Sequence, residues 1–259
     1  MPGVLHLDAT MASVGMLILA LAWVALLAPW IARTACARLR ASLSRDIEAA
    51  KSATVDVLMP SVLSDAARRK TRVFLSAIFL VGSGVVGLSV GVSSLQAWAY
   101  VALFSSLFVL SLIDLDTQLL PGVGGVLWSG LLAATLHVVP MALEEAILGA
   151  VVGWILLSLP NGLLSLTRPE SQPAVGAGDV SLVAACGAWL GPQHIIVAGC
   201  LATLAAMAIR CVSRFRARSV ASSSADDLDT IKGAPYLPFG PLIGVSVIVV
   251  LSLKLHFAA

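Results

Sequence analysis

Charge is what this sequence has least of. Only 12% of its 259 residues are Asp, Glu, Lys or Arg and 6% are aromatic, whereas 59% are hydrophobic and the mean hydropathy is +0.98. A soluble domain carries roughly 25% charged residues, so the shortfall excludes a water-soluble globule of this size and puts the chain in a bilayer. The same composition excludes low-complexity disorder, a collagen-like rod and a secreted disulfide scaffold. Cysteine is sparse too: Cys36, Cys186, Cys200 and Cys211 form no C-x-x-C pair, and their spacing fits neither a zinc site nor a disulfide framework. Three of the four fall in apolar segments, where a free thiol behaves as a small hydrophobe. A net charge of +2 and a pI near 8.5 give no reason to expect nucleic acid as a partner.

Long apolar runs are what the sequence has instead. Crossing about 30 Å of hydrocarbon takes a helix of about 20 apolar residues. Eight segments qualify, approximately 11–30, 73–93, 96–113, 122–139, 144–165, 179–191, 194–212 and 238–257. The sixth is short and holds Gly187 and Gly191, which leaves it tilted, partly interfacial or continuous with its neighbour. Residues 1–10 contain no Lys or Arg, and the apolar stretch after them is too long for a signal-peptide core, so the first segment reads as a retained helix. The expected fold class is all-α, a polytopic membrane helix bundle of about eight transmembrane helices, with lipid as a partner.

The few charges are unevenly placed. Residues 31–72 hold nine basic residues, 166–178 hold Arg168, and 210–237 hold five, which is 15 of the 16 Lys and Arg. With eight spans these segments share one side, which the positive-inside rule makes cytoplasmic, and Lys254 is left near the other. Residues 42–70 read as a surface-lying amphipathic helix pair. Residues 219–234, with Ser222-Ser223-Ser224 and Asp226-Asp227-Leu228-Asp229, read as a mobile loop. Two units are expected: 1–72, an N-terminal span with a basic cytoplasmic segment, and 73–259, a membrane-embedded domain.

Most of the acidic residues have plain roles. Asp46, Glu48, Asp56 and Asp65 lie among the basic residues of the first loop, and Glu144 and Glu145 open a helix whose dipole favours carboxylates there. Three are different. Asp114 and Asp116, in Leu110-Ser111-Leu112-Ile113-Asp114-Leu115-Asp116, end the third span, and Asp179 closes Gly176-Ala177-Gly178-Asp179 at the start of the sixth, on the same side. A carboxylate at such depth is costly and marks a pathway or a site. Each alone also has a bland reading, Asp114 or Asp116 as a hydrated helix end and Asp179 as an N-cap.

Taken as a pair they carry chemistry. Two carboxylates brought to one membrane face from separate helices can share a proton. One then takes a proton from water while the other, protonated, polarises a scissile carbonyl. Asp114 and Asp116 cannot be that pair, because positions i and i+2 point about 200° apart on a helix. The glycines before Asp179 let the backbone turn sharply and approach a neighbour or substrate closely.

These residues resemble a known family. Ile113-Asp114-Leu115-Asp116-Thr117-Gln118-Leu119-Leu120-Pro121, then Gly176-Ala177-Gly178-Asp179 with the run to Gly191, and Pro235-Tyr236-Leu237-Pro238-Phe239-Gly240-Pro241 are similar in order and spacing to the type IV prepilin peptidases, the bacterial GxGD aspartic proteases. The resemblance covers roughly residues 73–257. It implies Asp114 and Asp179 as the catalytic pair, with Asp116, Gly176 and Gly178 in support. It also implies prepilins or pseudopilins of type II secretion as substrates, cut after a glycine at the cytoplasmic face of the inner membrane, with no cofactor.

Departures from the family pattern narrow the expectation. Its bifunctional members carry two C-x-x-C pairs that bind zinc in the first cytoplasmic loop and a Gly-Ser-Phe-Leu-Asn type motif tied to N-methylation of the new amino terminus. Residues 31–72 offer one cysteine and no such motif is present, so no metal is expected and an unmethylated product is. Ser181 stands where the family usually has lysine, and Gly122 where an aspartate or asparagine usually follows the proline. Two other classes remain open. A non-catalytic pilus-assembly membrane protein derived from the peptidase would share the sequence. A carboxylate-dependent transporter would place its acids at the midplane rather than at one edge. A presenilin-like protease shares GxGD, but its Pro-Ala-Leu is replaced here by Pro238-Phe239-Gly240-Pro241.

Overall fold

The computed structural model describes residues 22–49, 65–91, 94–117, 119–167, 175–221 and 238–258. These form eight α-helices: α1 Ala28–Ala49, entered through a π-helical turn at Trp23–Leu27, α2 Asp65–Val90, α3 Leu95–Thr117, α4 Val123–Thr135, α5 Leu143–Thr167, α6 Ala177–Leu190, α7 Pro192–Ala221 and α8 Gly240–Ala258. Five contain stretches long and apolar enough to cross a membrane, Arg69–Val90, Leu95–Thr117, Leu143–Leu163, Pro192–Val212 and Gly240–Phe257. The chain is a multi-pass membrane protein built as a helical bundle.

Local sequence explains where the helices begin and end. Ser94 caps α3, its hydroxyl accepting from the Ala97 N–H at 3.1 Å, which satisfies one of the otherwise unpaired donors of a first turn. Glu144 and Glu145 occupy the first turn of α5, where the helix dipole favours negative charge. Gly191 ends α6 with φ of 79°, a left-handed conformation that costs glycine little, and Pro192 opens α7 at the position where a missing N–H is harmless. The sixth span is therefore not continuous with its neighbour.

Some sequence expectations need revision. Of the amphipathic helix pair expected at 42–70, residues 42–49 continue α1 and 65–70 continue α2, and 50–64 lie outside the described residues. Of the expected first span, 11–21 lies outside the described residues. The expected loop at 219–234 begins inside α7, which runs to Ala221, and its remainder lies outside the described residues. The fourth span is shorter than expected, α4 having 13 residues, while the sixth is short as expected: α6 has 14 residues and extends about 21 Å at 1.5 Å per residue.

The shortness of α6 is affordable because it meets protein rather than lipid. All its residues from Asp179 to Leu190 except Ser181 are buried, against α5 on one side and α4 on the other. Glycine makes this possible. A Cβ at Gly149 of α5 would collide with the Gly187 carbonyl, one at Gly187 with the Gly149 carbonyl, and one at Gly153 would lie 2.6 Å from the Val183 carbonyl oxygen. Gly187 thus does not interrupt the helix; it lets two backbones touch, as small residues spaced by four do between membrane helices. Trp189 ties the other side, its indole N–H donating to the Val126 carbonyl of α4 at 2.9 Å. On the far side of the bundle α8 packs against α2, α3 and α7.

Candidate active site

The C-terminal end of α3 and the N-terminal ends of α2, α6 and α8 meet at one end of the bundle. Asp114, on the last turns of α3, is 3% exposed and Asp179, in the first turn of α6, is 6% exposed. They lie 65 positions apart in sequence, on separate helices, close enough for the charge of Asp179 to act on Asp114. Asp114 and Asp179 are the two acidic residues in the buried polar set. Burying a carboxylate this way is costly unless something compensates, and Asp114 has a backbone donor from a helix start.

For Asp114 the donor is Gly240, the first residue of α8, whose N–H bonds Oδ2 at 2.9 Å. The first N–H groups of a helix have no partner inside it and carry the positive end of its dipole, so α8 presents to Asp114 the kind of group that binds an anion. The approach needs glycine. A Cβ at position 240 would sit 2.8 Å from Asp114 Oδ2 and 3.1 Å from its Cγ. Gly240 stood within the Pro235–Pro241 block in the sequence, but nothing in one sequence says that its N–H faces a carboxylate 126 positions away.

Asp179 is held differently from the cap reading. The N-cap of α6 is Gly176, in an extended conformation with no capping side chain, and Asp179 lies three residues on. Its own N–H and that of Val180 bond the Gly176 carbonyl at 3.1 and 3.2 Å, which ties the backbone that carries the carboxyl to the cap residue. Gly176 has φ of −65°, which any residue adopts, so the sharp turn expected of these glycines is absent. Close approach is present at Gly178, whose Cβ would stand 3.2 Å from that of Leu120.

Asp116 is elsewhere. Two residues past Asp114, it faces α2, where Arg72 Nη2 contacts Oδ1 at 2.7 Å and Oδ2 at 2.8 Å. Arg72 is 44% exposed at its side chain and Asp116 15%. The structure therefore brings Asp114 and Asp179 together and turns Asp116 to the rim.

Asp179 opens onto a cavity of about 570 Å³ between α5, α6 and α7, walled by residues that include Pro160, Val175, Gly176, Cys200 and Arg210. Its walls are otherwise mainly aliphatic, as suits a site that orients an extended chain with few polar groups. Among the described residues no group of three His, Cys, Asp or Glu is arranged to hold a metal ion. Cys36 and Cys186 are buried, Cys200 and Cys211 exposed.

The two departures from the family pattern fall at tolerant positions. Gly122 has φ of 73°, the left-handed region that glycine, asparagine and aspartate adopt most readily. Glycine there keeps the turn that the other two would make. Ser181 is exposed on the first turns of α6, its hydroxyl donating to the Ala177 carbonyl at 2.9 Å, so no buried partner is lost with a lysine.

Comparison with known proteins bears on the same region. Residues 101–211 match the type IV leader peptidase family, a stretch that includes both buried aspartates. A "Type 4 prepilin-like proteins leader peptide-processing enzyme" of Escherichia coli is 31% identical over 177 residues, covering 66% of this chain and 54% of its own length. A "Prepilin leader peptidase/N-methyltransferase" of Pseudomonas aeruginosa is 35% identical over 153 residues, 58% of this chain and 48% of its own. One of Klebsiella pneumoniae is 39% identical over 102 residues, 37% and 43% respectively. The chain spans about half the length of the relatives it matches. No solved structure matches it.

Proposed function

We propose, from the premise that residues 101–211 belong to the type IV leader peptidase family, that this chain is a membrane aspartic endopeptidase removing leaders from type IV prepilins or pseudopilins. The observation that carries the reading is the pair Asp114 and Asp179: both buried, delivered by separate helices, with Asp114 held by the Gly240 backbone donor. Residues 73–259 are the unit that does the chemistry. Its working end faces the cytoplasm of the inner membrane, because the basic residues Arg68, Arg69, Lys70 and Arg72 stand at the same end of α2 as the pair, and basic residues mark the inner side.

The chemistry follows from the two carboxyls. One, ionised, takes a proton from a water molecule as that water's oxygen bonds the scissile carbonyl carbon, while the other, protonated, hydrogen-bonds the carbonyl oxygen. The tetrahedral intermediate collapses when the carbon–nitrogen bond breaks and a carboxyl returns a proton to the leaving amine. Burial keeps bulk water from competing and strengthens each contact with developing charge. The cavity beside Asp179 is the space for the chain being cut.

The test is incubation of the purified full chain, in detergent and in liposomes, with a prepilin and with a pseudopilin, read by mass spectrometry. Loss of the leader mass is expected, and its absence with both substrates overturns the reading. The same spectra read the new amino terminus. An unmodified amine is expected, and a gain of about 14 Da in the presence of a methyl donor would show N-methylation.

A further inference from the structure

The start of α6 has no capping side chain of its own, yet it carries Asp179 and part of the cavity wall. What fixes it comes from α5. Asn161 follows Pro160 in that helix, and its amide makes two hydrogen bonds to one residue of the segment leading into α6: Nδ2 donates to the Val175 carbonyl at 2.8 Å, and Oδ1 accepts from the Val175 N–H at 2.9 Å. A primary amide is the neutral side-chain group that offers a donor and an acceptor in one plane. One bond would leave Val175 free to pivot about it; two fix the peptide in position and tilt.

The consequence passes along two residues. Val175 is bonded to Gly176, whose carbonyl receives the N–H groups of Asp179 and Val180. Pro160, Val175, Gly176 and Asp179 all face the cavity. The clamp therefore sits behind the wall that a bound chain would meet.

We propose that Asn161 is a positioning residue for cleavage: by pairing with both backbone groups of Val175 it holds Gly176, and through Gly176 the Asp179 carboxyl, in the geometry that attack on the substrate needs. This rests on the peptidase reading above. A reacting group displaced by about 1 Å costs on the order of 100-fold in rate, and that is the size of loss expected in kcat when the clamp is removed.

The experiment measures leader removal by the full chain carrying Asn161→Leu or Asn161→Asp, with kcat and KM determined separately and thermal unfolding followed in the same detergent. Asn161→Leu is expected to lower kcat about 100-fold with KM changed little and the unfolding temperature near that of the original protein. Asn161→Asp retains only the acceptor when ionised and regains a donor when protonated, so its kcat relative to the original protein should rise as the pH is lowered. Taking that ratio at each pH removes the titration of Asp179 on α6 that both proteins share; Arg210 on α7 is the other charged side chain lining the cavity. If the original protein cleaves no leader, the peptidase reading fails. If it cleaves and Asn161→Leu cleaves equally well, or loses activity only in step with its folded fraction, the positioning role fails alone. Should Asn161→Leu not fold, a pH-independent ratio for Asn161→Asp overturns the role by itself.

Discussion

Asp114 and Asp116 lie two residues apart on α3 and meet opposite surroundings. The first points inward, buried, to the start of α8 and to Asp179. The second points to the rim and pairs with Arg72 of α2. The difference is helix geometry: about 200° separates positions i and i+2, so one acid near the end of a packed helix must face the bundle and the other its edge. What each can contribute follows from its surroundings. Asp114 sits where water is scarce and a backbone donor and a second carboxyl are at hand. Asp116 sits where solvent screens its charge and a guanidinium already occupies it.

Asparagine substitution is the sharpest way to break this comparison. Asp114→Asn and Asp179→Asn should each lower leader cleavage by about 10²- to 10⁴-fold, the range for loss of a proton-handling group, with unfolding behaviour retained. Substantial turnover by Asp114→Asn in a membrane assay would remove the assignment. The backbone donor comes next. Gly240→Ala places a methyl against Asp114 Oδ2, and overpacking of this kind costs about 1–3 kcal/mol. Cleavage should fall by roughly tenfold, as misplacement of a reacting group does. A thermal-shift measurement with no change, together with full activity, would show that α8 does not hold the carboxylate.

The cavity gives a third, smaller effect. Cys200 is exposed and lines it, so a bulky maleimide should slow cleavage of a full-length substrate several-fold by excluding it, binding being lost when contacts are blocked. Cys200→Ser should be immune, and inhibition that persists in that variant would separate the cavity from the substrate path. The smallest effect is expected at the rim. Asp116→Asn or Arg72→Ala removes a rim pair, half-exposed at Arg72 and mostly covered at Asp116, of a kind worth about 0.2–1 kcal/mol, and activity should stay within a few-fold of the original. The charge-reversed double variant Arg72→Asp, Asp116→Arg should recover what either loses. A loss at Asp116 as large as at Asp114 would erase the distinction between them.

The sequence by itself determined the membrane class, the helical architecture and the short set of candidate acids. Each of these follows from local chemistry: apolar length against bilayer thickness, the scarcity of charge, and the fixed angular step of a helix that separates Asp114 from Asp116. It also located Gly-Ala-Gly-Asp at a helix start, although the helix begins at Ala177 and Asp179 is not its cap. Tertiary structure decided the rest, because it depends on which surfaces meet. The shortness of 179–191 was legible, but no local signal in 122–139 says that α4 stops short of a full span; only the packing shows why α6 can be short, because Gly149, Gly153 and Gly187 let it lie against α5, covered by protein where longer helices face lipid. Only the packing sets the Gly240 N–H on Asp114, Arg72 on Asp116 and the Asn161 amide on Val175. Hydrogen bonds act over about 3 Å, and the partners here stand 14 to 126 positions apart in the chain, so they exist only once the helices have packed.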